Sequence, residues 1–162
     1  MTGGGAGRRP RFSLKKPSIA GRLAVLRSRP AIEGFRTSTA TLEVMSTHII
    51  SLTTNIPSET STPAADRLLE GSPTHTLQNY YSDPSNQFFA GRWSSTPGTW
   101  RVRYTEHELC VITRGRVVLK SDDGAVSSFG AGDAFIVPAG FSGTWEVLED
   151  CTKIYALFEK LT

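Results

Sequence analysis

From Phe88 onward the chain alternates short runs of Val, Ile, Phe, Trp, Tyr and Thr with punctuation by Gly, Pro and Asp. Runs of this kind bounded by turn formers predict β-strands, whose side chains alternate between two faces. The pattern places strands at Phe88–Trp93, Thr99–Tyr104, Glu108–Thr113, Arg116–Ser121, Val126–Phe129, Ala134–Val137, Gly143–Leu148 and Lys153–Phe158. Asp122-Asp123-Gly124 is a hairpin signal, and Gly130–Asp133 and Pro138–Gly140 are further turns at close spacing. So many short strands fit an antiparallel jelly-roll β-barrel, because closure removes exposed sheet edges. An immunoglobulin-like sandwich is the competing all-β reading, but it gives no reason for the positions of Gly115, Gly132 and Gly140.

Upstream the pattern fades. Residues 46–85 are polar, with Pro57 and Pro63 among many Ser and Thr, and read as an extended arm with one short helical turn at Asp66–Glu70. Residues 1–45 are rich in Gly, Arg, Ser and Thr, with an apolar patch only around Ile19–Leu26. They read as a basic extension, largely disordered or targeting-like, or as sequence ahead of a true start at Met45. Residues 86–162 are left as the barrel.

Charge sharpens this division. The formal net charge is +3, yet residues 1–44 hold nine Lys and Arg against two acids, a balance of +7 that leaves −4 for the rest. An acidic folded part argues against nucleic-acid binding, which needs clustered Lys and Arg. No run approaches the length of a membrane-spanning helix, so no membrane association is expected. Cys110 and Cys151 lack the spacing of a zinc or redox pair and read as reduced thiols of a cytoplasmic protein, with an organelle as the alternative if the basic extension is a transit peptide.

Two spaced motifs lie in the barrel segment: Glu108, six residues and Gly115, then Gly132, five residues, Pro138, one residue and Gly140. In both spacings the chain resembles the cupin superfamily. The phrases Gly91-Arg-Trp93, Pro97-Gly-Thr-Trp100, Tyr104-Thr-Glu-His-Glu108, Gly140-Phe-Ser-Gly-Thr-Trp145-Glu146 and Lys153-Ile-Tyr155 are similar to the ureidoglycine aminohydrolase-type group and to the small cupin of ethanolamine-utilisation clusters. The resemblance implies a single cupin jelly-roll barrel and, in metal cupins, an HxH pair, the Glu and a third His. Here the paired positions fall on Val102 and Tyr104, or on Arg101 and Arg103, and the third on Gly143. One carboxylate does not hold a transition metal, so no metal or other cofactor is expected. A rearranged divalent site from Glu106, His107, Glu108 and Cys110 is the exception to weigh, although strand alternation turns His107 away from both Glu residues. His48 and His75 read as surface residues.

What remains for chemistry is acidic and aromatic. If residues 102–108 keep strand geometry, Tyr104, Glu106 and Glu108 share the inward face, where two desolvated carboxylates raise each other's pKa and one becomes a proton shuttle near neutral pH. These three are the candidate catalytic residues. Trp145, in phase with Gly143, with Trp93, Trp100, Phe135 and Cys110, are the candidate substrate-contacting residues. The blander reading is core packing for the aromatics and a buried, inert thiol for Cys110. Arg101 and Arg103 fall on the opposite face, and the pattern leaves the role of Lys153 open. The sequence thus supports three readings: an enzyme converting a small ureide, amino-acid or sugar-like metabolite by Glu-based acid/base chemistry, a non-catalytic ligand sensor, or a structural homodimer whose residues 72–87 cross to a partner barrel. A homodimer is expected in each.

Overall fold

The structure is a computed structural model that describes residues 48–160. The basic extension, with its targeting and alternative-start readings, lies outside the described residues. Among the described residues nine strands form one sheet. They are β1 (Glu59–Ser61), β2 (Leu68–Gly71), β3 (His75–Ser82), β4 (Phe88–Ser95), β5 (Gly98–Arg103), β6 (His107–Ser121), β7 (Val126–Gly130), β8 (Ala134–Val137) and β9 (Ser142–Phe158). Among the described residues no helix is long and apolar enough to cross a membrane.

The two long strands carry the architecture. β6 runs antiparallel along the whole of β9. On its other side β6 takes β8 at one end and β7 at the other, while the far side of β9 takes β4 along its C-terminal half and β5 along its N-terminal half. β3 extends the sheet beyond β4, β1 beyond β3, and β2 beyond β5. Such a sheet cannot stay flat. Between Ile112 and Val117 the β6–β9 register slips, Gly115 turns through a φ of 81°, and the buried positions pass from Glu108, Cys110 and Ile112 to Val117 and Leu119. A bulge with one left-handed glycine thus swaps the inward parity and curls the sheet into a half-barrel. The core lies inside the curl: Phe89, Trp93, Trp100, Ile112, Val117, Leu119, Trp145, Val147, Tyr155 and Leu157.

The all-β jelly-roll expectation holds, with two strand pairs fused: Glu108–Thr113 with Arg116–Ser121, and Gly143–Leu148 with Lys153–Phe158. The residues before Phe88 depart from expectation. In place of a helix at Asp66–Glu70, the Ala64 carbonyl accepts the N–H groups of Arg67 and Leu68 in a single turn, and the chain then enters β2. Gly71 ends β2 rather than a helix. Residues 72–87 contain β3, which pairs along β4 of the same chain. Polar sequence hid these strands because an edge strand presents much of its surface to water.

Candidate functional site

Tyr104, Glu106 and Glu108 all turn inward, at 6%, 2% and 1% exposure, though not on one strand. β5 ends at Arg103, residues 105–106 form a bend, and β6 begins at His107. The Tyr104 N–H donates to Phe141 O and its carbonyl accepts from Gly140 N–H, both at 2.9 Å. The second motif's glycine turn therefore clamps the bend that aims Tyr104 and Glu106. Glu106 Oε2 accepts from the Thr105 N–H at 2.8 Å and lies 3.1 Å from the Thr105 hydroxyl. That hydroxyl is also 2.6 Å from Glu159 Oε1.

Beneath this bend lies a cluster the sequence left open. Lys153 on β9 is 1% exposed. Its Nζ donates to Glu108 Oε1 at 2.8 Å and approaches Cys110 Sγ at 3.3 Å. The ammonium sits 4.5 Å from the Trp145 ring centroid and 5.3 Å from that of Trp93, within cation–π range. Strand alternation could have found it: Trp145, Val147, Cys151, Lys153, Tyr155 and Leu157 are all odd-numbered and all inward.

Electrostatics follow from burial. Loss of water pushes the Cys110 thiol up to about 12 against the pull of Lys153. Burial alone disfavours the Lys153 ammonium, but Cys110 and Glu108 reverse this and the net shift is upward. Cys110 remains a thiol at neutral pH, and the ion pair of the cluster is Lys153 Nζ with Glu108 Oε1 at 2.8 Å. Desolvation raises Glu106 above the usual carboxylate range, opposed by hydrogen bonds from its own backbone and from Thr105. Burial, then the carboxylate of Glu108, holds the Tyr104 phenol well above its ordinary value. No hydrogen bond of good geometry joins these two, and Glu108 Oε2 and Trp145 Nε1 are buried without a partner.

A cavity of about 130 Å³ opens over these groups, with Tyr104, Glu106, Trp145 and Lys153 in its lining. Trp93, Trp100 and His75 form one wall, His75 with its ring 4.7 Å from Trp100 and 5.2 Å from Trp93. The surface assignment thus fits His48, which is exposed, and is corrected for His75, which β3 carries inward. Arg67, Arg101 and Arg103 also line the opening, so the face away from Tyr104 still reaches the mouth. Glu108 and Cys110 lie outside the lining, behind Lys153. Phe135 also lies outside it, stacked on Phe129 at 3.8 Å, where it packs the core.

The cupin fold ordinarily implies a metal, and the side chains here do not fit one. Among the described residues no three His, Cys, Asp or Glu side chains converge. A Cβ built on Gly143 would stand 2.1 Å from Lys120 O, so the third ligand position has no room for a histidine. The Lys153 ammonium occupies the coordination side of Glu108. In the rearranged set, His107 is exposed and its Nδ1 accepts from Ala139 N–H at 3.3 Å, away from the carboxylates.

Comparison with known proteins agrees with this architecture. Residues 82–155 match the family model of the EutQ-like cupin domain. A protein of unknown function of the DUF861 family from Pseudomonas syringae pv. tomato is 25% identical with a TM-score of 0.60, over 67% of this chain and 46% of that one. The chain therefore spans about half the length of that structure. The EutQ protein of Clostridium difficile is 15% identical with a TM-score of 0.48, over 53% of this chain and 63% of its own. A DUF861 family protein of Thermotoga maritima is 24% identical with a TM-score of 0.41, over 51% and 99%. No curated protein is similar enough to count as a match. The curled sheet, the two spaced glycine motifs and the match over residues 82–155 together make this part of the chain similar to the EutQ-like cupin domain and to the DUF861 structure.

Proposed function

We propose that the barrel cavity binds a small polar metabolite of the ureide, amino-acid or sugar class, and that Glu106 acts on it as a general acid or base. The observation that carries this reading is a buried carboxyl, its pKa raised by desolvation, in the lining of a cavity that also presents the Lys153 ammonium. A carboxyl poised above its usual range exchanges protons nearer neutral pH, which acid/base catalysis requires. Glu108 serves through Lys153, fixing its charge and position. Tyr104, kept protonated, is a hydrogen-bond donor. The ureide class rests on the finer resemblance to ureidoglycine aminohydrolase-type cupins. Cytoplasmic location is proposed from the two buried free thiols.

Thermal-shift screening against ureides, amino acids and sugars tests the binding, since a ligand of the native state raises apparent stability. For a substrate so found, Glu106→Gln is expected to lower turnover by about 10²–10⁴ while preserving binding. Unchanged turnover removes the Glu106 carboxylate from the mechanism, and a ligand that binds without being converted assigns the chain to the sensor reading instead.

Homodimer formation is supported by the outer face of β4, β9, β6 and β8. There Phe88, Leu109, Ile136 and Phe158 remain 40–59% exposed, in register rows Phe88–Phe158–His107 and Ala90–Ala156–Leu109–Ile136. Carboxylates are absent from these rows, so no charge pattern selects a different partner, and a second copy is the proposed occupant.

A further inference from the structure

Resting on the small-molecule reading above, we propose that the ligand is an anion, a small organic acid whose carboxylate is received by Lys153 and Trp145, with Arg67 and Arg103 drawing it into the cavity.

The donors at the floor are incompletely used. A lysine ammonium has three N–H groups. Those of Lys153 meet Glu108 Oε1 and Cys110 Sγ and otherwise only the faces of Trp93 and Trp145. The Trp145 indole N–H is buried with no acceptor. A buried donor without a partner costs free energy comparable to a lost hydrogen bond, and a ligand oxygen at the floor removes that cost. Both residues line the same cavity and neither the ammonium nor the indole N–H can accept, so the complementary ligand atoms are acceptors.

The charges point the same way. Lys153, Arg67, Arg101 and Arg103 face a single lining acid, Glu106. Glu108, behind Lys153, neutralises it at 2.8 Å, and Asp122 neutralises Arg101 at 3.2 Å. Among the described residues Arg67 and Arg103 have no ion-pair partner, which leaves two cations against Glu106, whose carboxyl desolvation biases toward the neutral acid. Clefts lined by one sign of charge concentrate ligands of the opposite sign. A cavity of about 130 Å³ restricts the ligand to a few non-hydrogen atoms, and the Trp93–Trp100–His75 wall accepts its apolar or planar end.

Isosteric pairs test the charge. Sodium glycolate, lactate and pyruvate are titrated into the full chain by calorimetry alongside glycolamide, lactamide and pyruvamide, at matched ionic strength. The acids are expected to bind about tenfold more tightly than their amides, as charge-assisted hydrogen bonds are the stronger kind. Arg103→Gln, at an exposed position that does not threaten folding, should weaken the acids and leave the amides unchanged, and Arg67→Gln should repeat the pattern. Lys153→Met should abolish the preference if that variant folds, and the two arginine variants carry the test if it does not. Amides, neutral ureides or sugars binding as tightly as the acids overturns the anion proposal and leaves the small-molecule reading intact. No binding by any of these compounds overturns both.

Discussion

Removing one member of the Lys153–Glu108 pair leaves an uncompensated charge where both side chains are about 1–2% exposed. Glu108→Gln and Lys153→Met are each expected to cost about 3–5 kcal/mol of stability. The double variant should lose less than the sum, because the second change removes the charge the first one stranded; urea unfolding of all four proteins measures this coupling, and strict additivity contradicts it. At Glu106 the Thr105 hydroxyl bears on titration. One hydroxyl proton serves either Glu106 or Glu159, and its bond lowers the Glu106 pKa. Thr105→Val should therefore raise that pKa further, as followed by carboxyl-carbon NMR across a pH series; a downward shift contradicts it. The inward acids were legible from alternation, although for Glu106 a bend replaces the strand the argument assumed. Lys153 was not: lysine is so commonly a surface residue that inward parity alone did not outweigh its type, and pairing with Glu108 requires β6 and β9 to be known neighbours.

The β6–β9 pair holds the elements together, and Gly143 shows how closely they approach. Its Cβ would collide with Lys120 O and press on Ser121 Cα at 2.9 Å, both backbone, with no left-handed φ involved. Gly143→Ala is expected to destabilise by about 1–3 kcal/mol through overpacking. Gly124→Ala meets nothing within 4 Å and should cost only the strain of its φ of 96°, about 1 kcal/mol. Thermal unfolding of the two variants compares them, and a Gly143→Ala protein as stable as wild type contradicts the tight approach. Strand positions and the Asp122–Gly124 hairpin were legible because turn chemistry is local. There Gly124 N–H donates to Ser121 O at 3.0 Å, as the sequence implies. The edge strands β1 and β2, and β3 beside β1, were not legible, since β1 and β2 are only three and four residues long and β3 is half-buried throughout, so none carries an alternating signature.

Across the whole molecule, burial leaves several groups holding protons more tightly folded than unfolded: Cys110 up to about 12, Cys151 up to about 11, and Tyr104, Tyr155 and Lys153 above their ordinary values. The native state then binds more protons than the unfolded chain once the unfolded thiols begin to ionise near their ordinary 9.0. Stability is fully present below that pH and falls as pH rises. The urea midpoint should decline continuously from about pH 9 to 11, and a flat profile contradicts these shifts. At neutral pH, light scattering should give twice the chain mass, and Leu109→Lys with Ile136→Glu should return it to the monomer. A monomeric wild type contradicts the dimer face.

The central claim is that a lysine–glutamate pair, rather than a metal, holds the floor of this cupin cavity. A crystal structure of the protein grown with manganese and zinc tests it most directly. The account predicts Lys153 Nζ within hydrogen-bonding distance of Glu108 and no ion on that carboxylate. An ion bonded to Glu108, with Lys153 displaced, contradicts it.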